Sequence, residues 1–293
     1  MFFNLKYHIV SLVAVFLALG LGIFIGTAIP GSDALNSQQQ ELTSSLESQM
    51  GIMKQKNQHL QSRISTLEMD NNIQRQFESH VLPVLLADKL KGRKVAIIGT
   101  TGQRLVDDLV ETFSLAGAGV QSITILIGFE LSHGNDLSEK MESPESSREG
   151  TLRIAKEVAQ AVLSGSTDKL KTLAGQNFIK IGGTYGGPVD DVILVGGSND
   201  SQIMNIESLD FPLIDSLKSG GLPVYGVEES SAAYSYIKAY QKKGISTVDN
   251  VDTVPGQVSL VYAILGNPGQ YGVKASARAL WPAIDGGVPV NAR

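Results

Sequence analysis

The chain has 293 residues, no cysteine, 29 acidic against 24 basic side chains and a formal net charge of −5. No disulfide can support its fold, and an acidic balance without a basic cluster argues against a nucleic-acid partner. What remains is long enough for one substantial globular core plus extensions.

The first 8 residues form a short leader carrying Lys6 and His8. From Ile9 to Ile29 no residue is charged, and at ~1.5 Å per residue that run makes a helix of roughly 30 Å, enough to cross a bilayer. Secretory h-regions are shorter, typically ~7–15 residues, so the run reads as a retained transmembrane anchor over 9–29. Basic residues precede it, and no Lys or Arg occurs between Pro30 and Met53. The positive-inside rule then places the N-terminus in the cytoplasm and everything after the anchor outside the cytoplasmic membrane. Ala14, Ala18, Gly22 and Gly26 fall four apart, so one helix face is made of small residues that let a second helix approach closely.

Residues 30–87 read as a stalk. Leu46, Met53, Leu60 and Leu67 recur every seven residues, with Met50, Asn57, Ile64 and Asn71 four after each. The two sets are the d and a positions of a coiled coil, and asparagine at a favours an in-register pair. A parallel homodimer is expected, its stalk holding the outer domain roughly 70 Å from the membrane. Leu35 and Leu42 lie outside this frame and Ile73 and Phe77 drift from it.

Residues 88–293 read as one extracytoplasmic α/β domain. The β-branched runs Lys94–Gly99, Val120–Gly128, Asp191–Gly197, Leu222–Val227 and Gly244–Val251 are mostly closed by glycine. Helical patterns at Arg104–Ala116, Ser147–Leu163, Ser201–Lys218 and Ser230–Lys243 separate them, with two closing helices expected at Gln257–Leu265 and Val273–Trp281. Strands alternating with helices predict a doubly wound, mainly parallel sheet. Phe129–Ser147 reads as an exposed loop.

In such a sheet a ligand crevice lies beyond the carboxyl ends of the strands. Those ends carry Thr100, Thr101, Ser198, Glu228, Asp249, Asn250, Asp252 and Thr253, a polar set suited to a peptide or a hard cation, though such residues more commonly stand at strand ends because they cap helices and close turns. Two glycine clusters, Gly99 with Gly102 and Gly182, Gly183, Gly186 and Gly187, complete no phosphate-binding pattern and read as tight turns. No GxSxG, HExxH or cysteine nucleophile occurs, and His133 is the one histidine of the outer domain. No catalytic, cofactor or metal residue is assigned, and an extracytoplasmic enzyme is the weakest of three functional classes.

The leader HIVSLVAVFLALGLGIFIGT (His8 to Thr27), the heptad stalk, STVDNVDT (Ser246 to Thr253), GQVSLVYAILG (Gly256 to Gly266) and QYG (Gln270 to Gly272) resemble the mycobacterial copper transport protein B (MctB) family. SteB, a corynebacterial cell-separation protein, is similar to the same family. The resemblance runs through the whole chain in order. It implies two alternatives: copper efflux, or partnership with a SteA-like membrane protein or a peptidoglycan hydrolase in daughter-cell separation.

The residues weigh between them. Copper(I) calls for thiolate, thioether or imidazole clusters. The only close methionine pair, Met50 and Met53, lies on the predicted seam, where packing is the ordinary explanation. One membrane helix encloses no pore, and the alternating apolar segments of a transmembrane barrel are not evident. Copper therefore enters as a cofactor through the resemblance alone, and the residues favour a dimeric, membrane-anchored scaffold that binds a partner.

Overall fold

The computed structural model describes residues 5–28, 32–100, 103–127, 144–200, 206–283 and 290–291. They divide into two compact units, 1–74 and 75–293.

In the first unit, helix α1 spans Leu5–Ala28. Its stretch Lys6–Thr27 is long and apolar enough to cross a membrane, with mean hydropathy 2.7. Helix α2 runs unbroken through Ser32–Leu86 and continues into the second unit. Its long polar run keeps a helix because strong formers dominate it and outweigh the one glycine, Gly51.

Among the described residues of the second unit, nine strands order as β3-β2-β1-β4-β5-β6-β7-β8-β9. They are β1 Lys94–Gly99, β2 Gly119–Leu126, β3 Ile179–Gly183, β4 Asp191–Val195, β5 Val224–Val227, β6 Ser246–Val248, β7 Gln270–Tyr271, β8 Ala279–Trp281 and β9 Val290–Asn291. Only the edge strands β3 and β9 pair antiparallel. The predicted mainly parallel α/β sheet is therefore the observed architecture. Its central register sets Ile97 of β1 beside Ile123 of β2 and Ile193 of β4.

Side-chain alternation sends Val95, Ile97, Ile193, Val195 and Val227 to one face and Ala96, Ile98, Val192, Leu194 and Val224 to the other. Helices α3 (Gln103–Leu115) and α8 (Val254–Ile264) cover the first face, together with Leu86 and Leu90 at the end of α2 and just beyond it. Helices α4 (Pro144–Ser164), α5 (Asp168–Gly175), α6 (Phe211–Ser219) and α7 (Ile237–Lys242) belong to the second. The β1–α3–β2 connection steps one way across the sheet, while β4–α6–β5 and β5–α7–β6 step the other way on the opposite face, so all three share one hand. The β6–α8–β7 connection steps like the latter two yet carries its helix on the first face. It has the opposite hand to the rest, a rarity among parallel crossovers.

Several expected elements differ. Val273–Trp281 is turn followed by β8, not helix, because its end is paired with β7, Gly272 N donating to the Ala279 carbonyl and Arg278 N to the Gln270 carbonyl. The pattern over Ser230–Lys243 becomes helix only at Ile237, since an antiparallel bridge between Ser198 and Tyr234 holds the preceding residues extended. In Ser201–Lys218 a π-helical turn, Ile206–Asp210, precedes α6; residues 201–205 lie outside the described residues, as does most of the Phe129–Ser147 loop. Pro144–Ser147 begins α4 instead. Strands β3, β7 and β9 and helix α5 appear where no element was expected. The glycine cluster closes β3 and the turn after it: Gly183 and Gly186 have positive φ, and a Cβ on Gly165 would collide with the backbone of Gly186.

Candidate functional site

The residues that follow β5 and β6, Glu228 and Asp249, are both fully buried. Glu228 Oε1 accepts from Ser235 Oγ at 2.6 Å and Lys274 Nζ at 2.7 Å, and Oε2 accepts from Tyr236 N at 2.8 Å. Lys274 Nζ also donates to the Glu229 and Ala232 carbonyls, each at 3.1 Å, so all three ammonium hydrogens are used. Asp249 Oδ1 accepts from Val273 N at 2.7 Å and Oδ2 from Lys274 N at 3.1 Å. Burial raises the Asp249 carboxyl above its ordinary value, against the pull of those two N–H groups and of Lys274.

The remainder of STVDNVDT is engaged in the same way. Asn250 Nδ2 donates to Thr253 Oγ1 at 3.1 Å, and Thr253 Oγ1 caps α8 by accepting from Gly256 N at 3.3 Å. Asp252 accepts from Ser230 N at 2.7 Å and Ser230 Oγ at 2.6 Å. Gly256 lets α8 pass against the Asn250 carbonyl, and Gly272 lies against the Asp249 carboxylate; a Cβ at either would collide.

These residues stitch β5, β6, α8 and the 272–274 turn into one latch. At the strand ends Thr100, Ser198, Glu228, Asp249 and Asn250 are all buried, so these five present no open polar surface. Ser198 Oγ donates to the Asp200 carbonyl at 2.9 Å, apart from the latch. Asp252 stays exposed, and Thr101 lies outside the described residues.

A second centre sits where the strand order reverses, between β1 and β4, the place where open α/β sheets hold ligands. Thr100 N and Oγ1 both donate to the Val195 carbonyl, at 2.9 and 3.0 Å. Asp210, 1% exposed, accepts from the Tyr240 hydroxyl at 3.1 Å through Oδ2, while its Oδ1 has no partner among the described residues. Burial pushes the Asp210 carboxyl up to about 7, opposed by the hydrogen bond from Tyr240. Burial and the Asp210 charge raise the Tyr240 and Tyr236 phenols as well. Gly196 makes the room, for a Cβ there would collide with the Tyr240 hydroxyl. Chemically this is a dry carboxyl that holds or releases a proton near neutral pH.

Sequence reasoning misses Asp210, Tyr240 and Lys274. An Asp before Phe-Pro reads as an ordinary helix start, and nothing in the spacing ties Lys274 to a carboxylate 46 positions earlier.

On the latch's outer side is a cleft of about 450 Å³ between the end of α2, α3 and the start of α8. Leu82, Leu115 and Val254 line it together with Glu78, Asp108, Glu111 and Asp252, against one guanidinium, Arg75. Among the described residues no three of His, Cys, Asp or Glu gather as a metal-holding group. Met141, Met204 and His133 lie outside the described residues.

In the first unit the expected pairing positions face solvent. Leu46, Met50, Met53, Leu60, Ile64 and Leu67 are 54–73% exposed, and Asn57 and Asn71 are exposed beside them. Ala14 and Ala18 are exposed on α1, where a Cβ on Gly22 or Gly26 would meet nothing within 4 Å.

A family model described as "Copper transport outer membrane protein, MctB" matches residues 2–282. The chain belongs to the MctB family. The match covers α1, α2 and nearly all of the α/β domain together, so the expected resemblance holds for nearly the whole chain. No curated protein matches this MctB-family chain.

Proposed function

We propose that this MctB-family protein is a single-pass, dimeric scaffold of the cell envelope. Helix α1 anchors it in the cytoplasmic membrane with the N-terminus inside, α2 pairs in parallel with a second copy, and the outer α/β domain binds a partner. The observation that carries this reading is the row of apolar side chains from Leu46 to Leu67, interrupted at Asn57, each more than half exposed on a helix that buries none of them in its own chain. Exposed apolar surface of that extent marks an interface, and the heptad spacing fits a second helix. The freedom around Gly22 and Gly26 supports close approach within the membrane as well.

The latch consumes the polar groups at the strand ends, so the partner surface is assigned to the cleft edged by Asp108 and Glu111. Co-expression with a SteA-like membrane protein tests it. Co-purification is expected, and Asp108→Lys with Glu111→Lys is expected to abolish it while the chain stays folded. Retention of the partner by the double variant contradicts this placement.

The second reading is copper transport, carried by the printed family description. A single apolar helix supplies no conduit by itself, so in this reading the chain hands copper on within an assembly. Competition for copper(I) against a chromogenic chelator, run on the outer α/β domain alone, separates the readings: metal withheld there favours transport, and none withheld favours the scaffold.

A further inference from the structure

We infer that Met50 and Met53, together with the same residues of a second copy, form a thioether site for copper(I) or another soft monovalent cation in the stalk seam. The inference rests on the parallel dimer proposed above.

The described methionines all lie on α2: Met50, Met53 and Met69. Met50 and Met53 occupy neighbouring a and d positions, three residues apart on one face, and are 71% and 73% exposed. Neither thioether is committed to packing in its own chain. In-register pairing brings four sulfurs into two adjacent layers, about 4.5 Å apart along the axis at ~1.5 Å per residue. Met69, 66% exposed, falls at an outward f position and faces no such layer.

As packing alone, this pair is a poor choice. The other apolar seam positions are Leu and Ile, which have better-defined rotamers than Met. Gly51 stands between the two methionines with open space where its Cβ would be, and a mid-helix glycine costs about 1 kcal/mol of helix stability. The weakest stretch of the seam is therefore the one that gathers the soft donors. Thioethers favour copper(I) over zinc or magnesium, and unlike thiols they form no disulfides, which suits a cysteine-free chain placed outside the cytoplasm. Neutral sulfur ligands bind less tightly than thiolates, so the site suits transfer rather than storage. Glu47 and Lys54, both at e positions, flank it with opposite charges.

The test uses the full chain in detergent micelles, titrated anaerobically with copper(I) against a chromogenic chelator, with sedimentation run on the same samples. One copper per two chains is expected, with sulfur-only ligation in X-ray absorption. Met50→Leu with Met53→Leu should abolish retention while the dimer persists, because leucine packs well at both positions; Met69→Leu should change nothing. Copper held equally by the double variant overturns the proposal, as does one copper per chain that survives dilution to monomer. A monomeric wild-type chain removes the dimer reading and this site together. A dimer that holds no copper removes this site alone.

Discussion

Lys274 Nζ lies 2.7 Å from Glu228 Oε1, with the carboxylate fully buried and the lysine side chain 20% exposed. This contact joins the end of β5 to the turn after β7, and the ammonium's other two hydrogens reach the Glu229 and Ala232 carbonyls. Lysine is thereby a structural pin, held by every donor it has.

Lys274→Met should therefore cost about 3–5 kcal/mol, because it leaves Glu228 buried without a counter-charge. Denaturant unfolding measures it. Adding Glu228→Gln to the same chain should recover part of the loss, and strictly additive single changes would show that the two residues are not coupled.

The Asp210 carboxyl supplies a pH dependence. Its value in the folded chain, about 7, is raised above the ordinary carboxylate range by burial. Its contribution is thus fully present below the unfolded value and is lost as pH rises through about 7. Asp210→Asn removes that loss, so the variant should gain more melting temperature over the wild type at pH 8 than at pH 5, where only part of the loss has set in. Equal differences at both pH values would place the Asp210 carboxyl at an ordinary value.

Gly272 has φ of +135°, and a Cβ there would collide with the Asp249 carboxylate. Gly272→Ala should cost at least about 1–3 kcal/mol from backbone strain alone, and more by opening the Asp249 bonds to Val273 and Lys274. Limited proteolysis should then cut first near the 272–278 turn. Unchanged resistance there would mean that the turn tolerates a side chain.

Strands β1 and β4 are legible because unbroken β-branched runs between helical patterns have one common outcome, a buried parallel strand. Strands β7 and β9 are two residues each, too short to carry a period, and β3 hides in a glycine-rich run. The expected helix over Val273–Trp281 fails for a reason outside its own residues: β7, just before it, pairs with its end, Arg278 N donating to the Gln270 carbonyl. The same holds at the site. Residues at strand ends are marked by their position, so Glu228 and Asp249 stand out. Their burial depends on Lys274 and on the 272–274 turn, which only tertiary contact brings near. Asp210 has no local mark at all, since its environment is made by Thr100 and Tyr240 from other elements.

The central claim is the parallel, in-register pairing of α2, and a chain without cysteine allows a direct test. Leu60→Cys places one thiol at a d position, where two copies in register bring the Cα atoms within the roughly 4.4–6.8 Å that a disulfide spans. Ser62→Cys, two residues on at an outward f position, serves as the comparison. Under mild oxidation in membranes, the account predicts that Leu60→Cys converts to a covalent dimer and Ser62→Cys stays largely monomeric on non-reducing gels. Failure of Leu60→Cys to crosslink, or equal crosslinking by both, would contradict it.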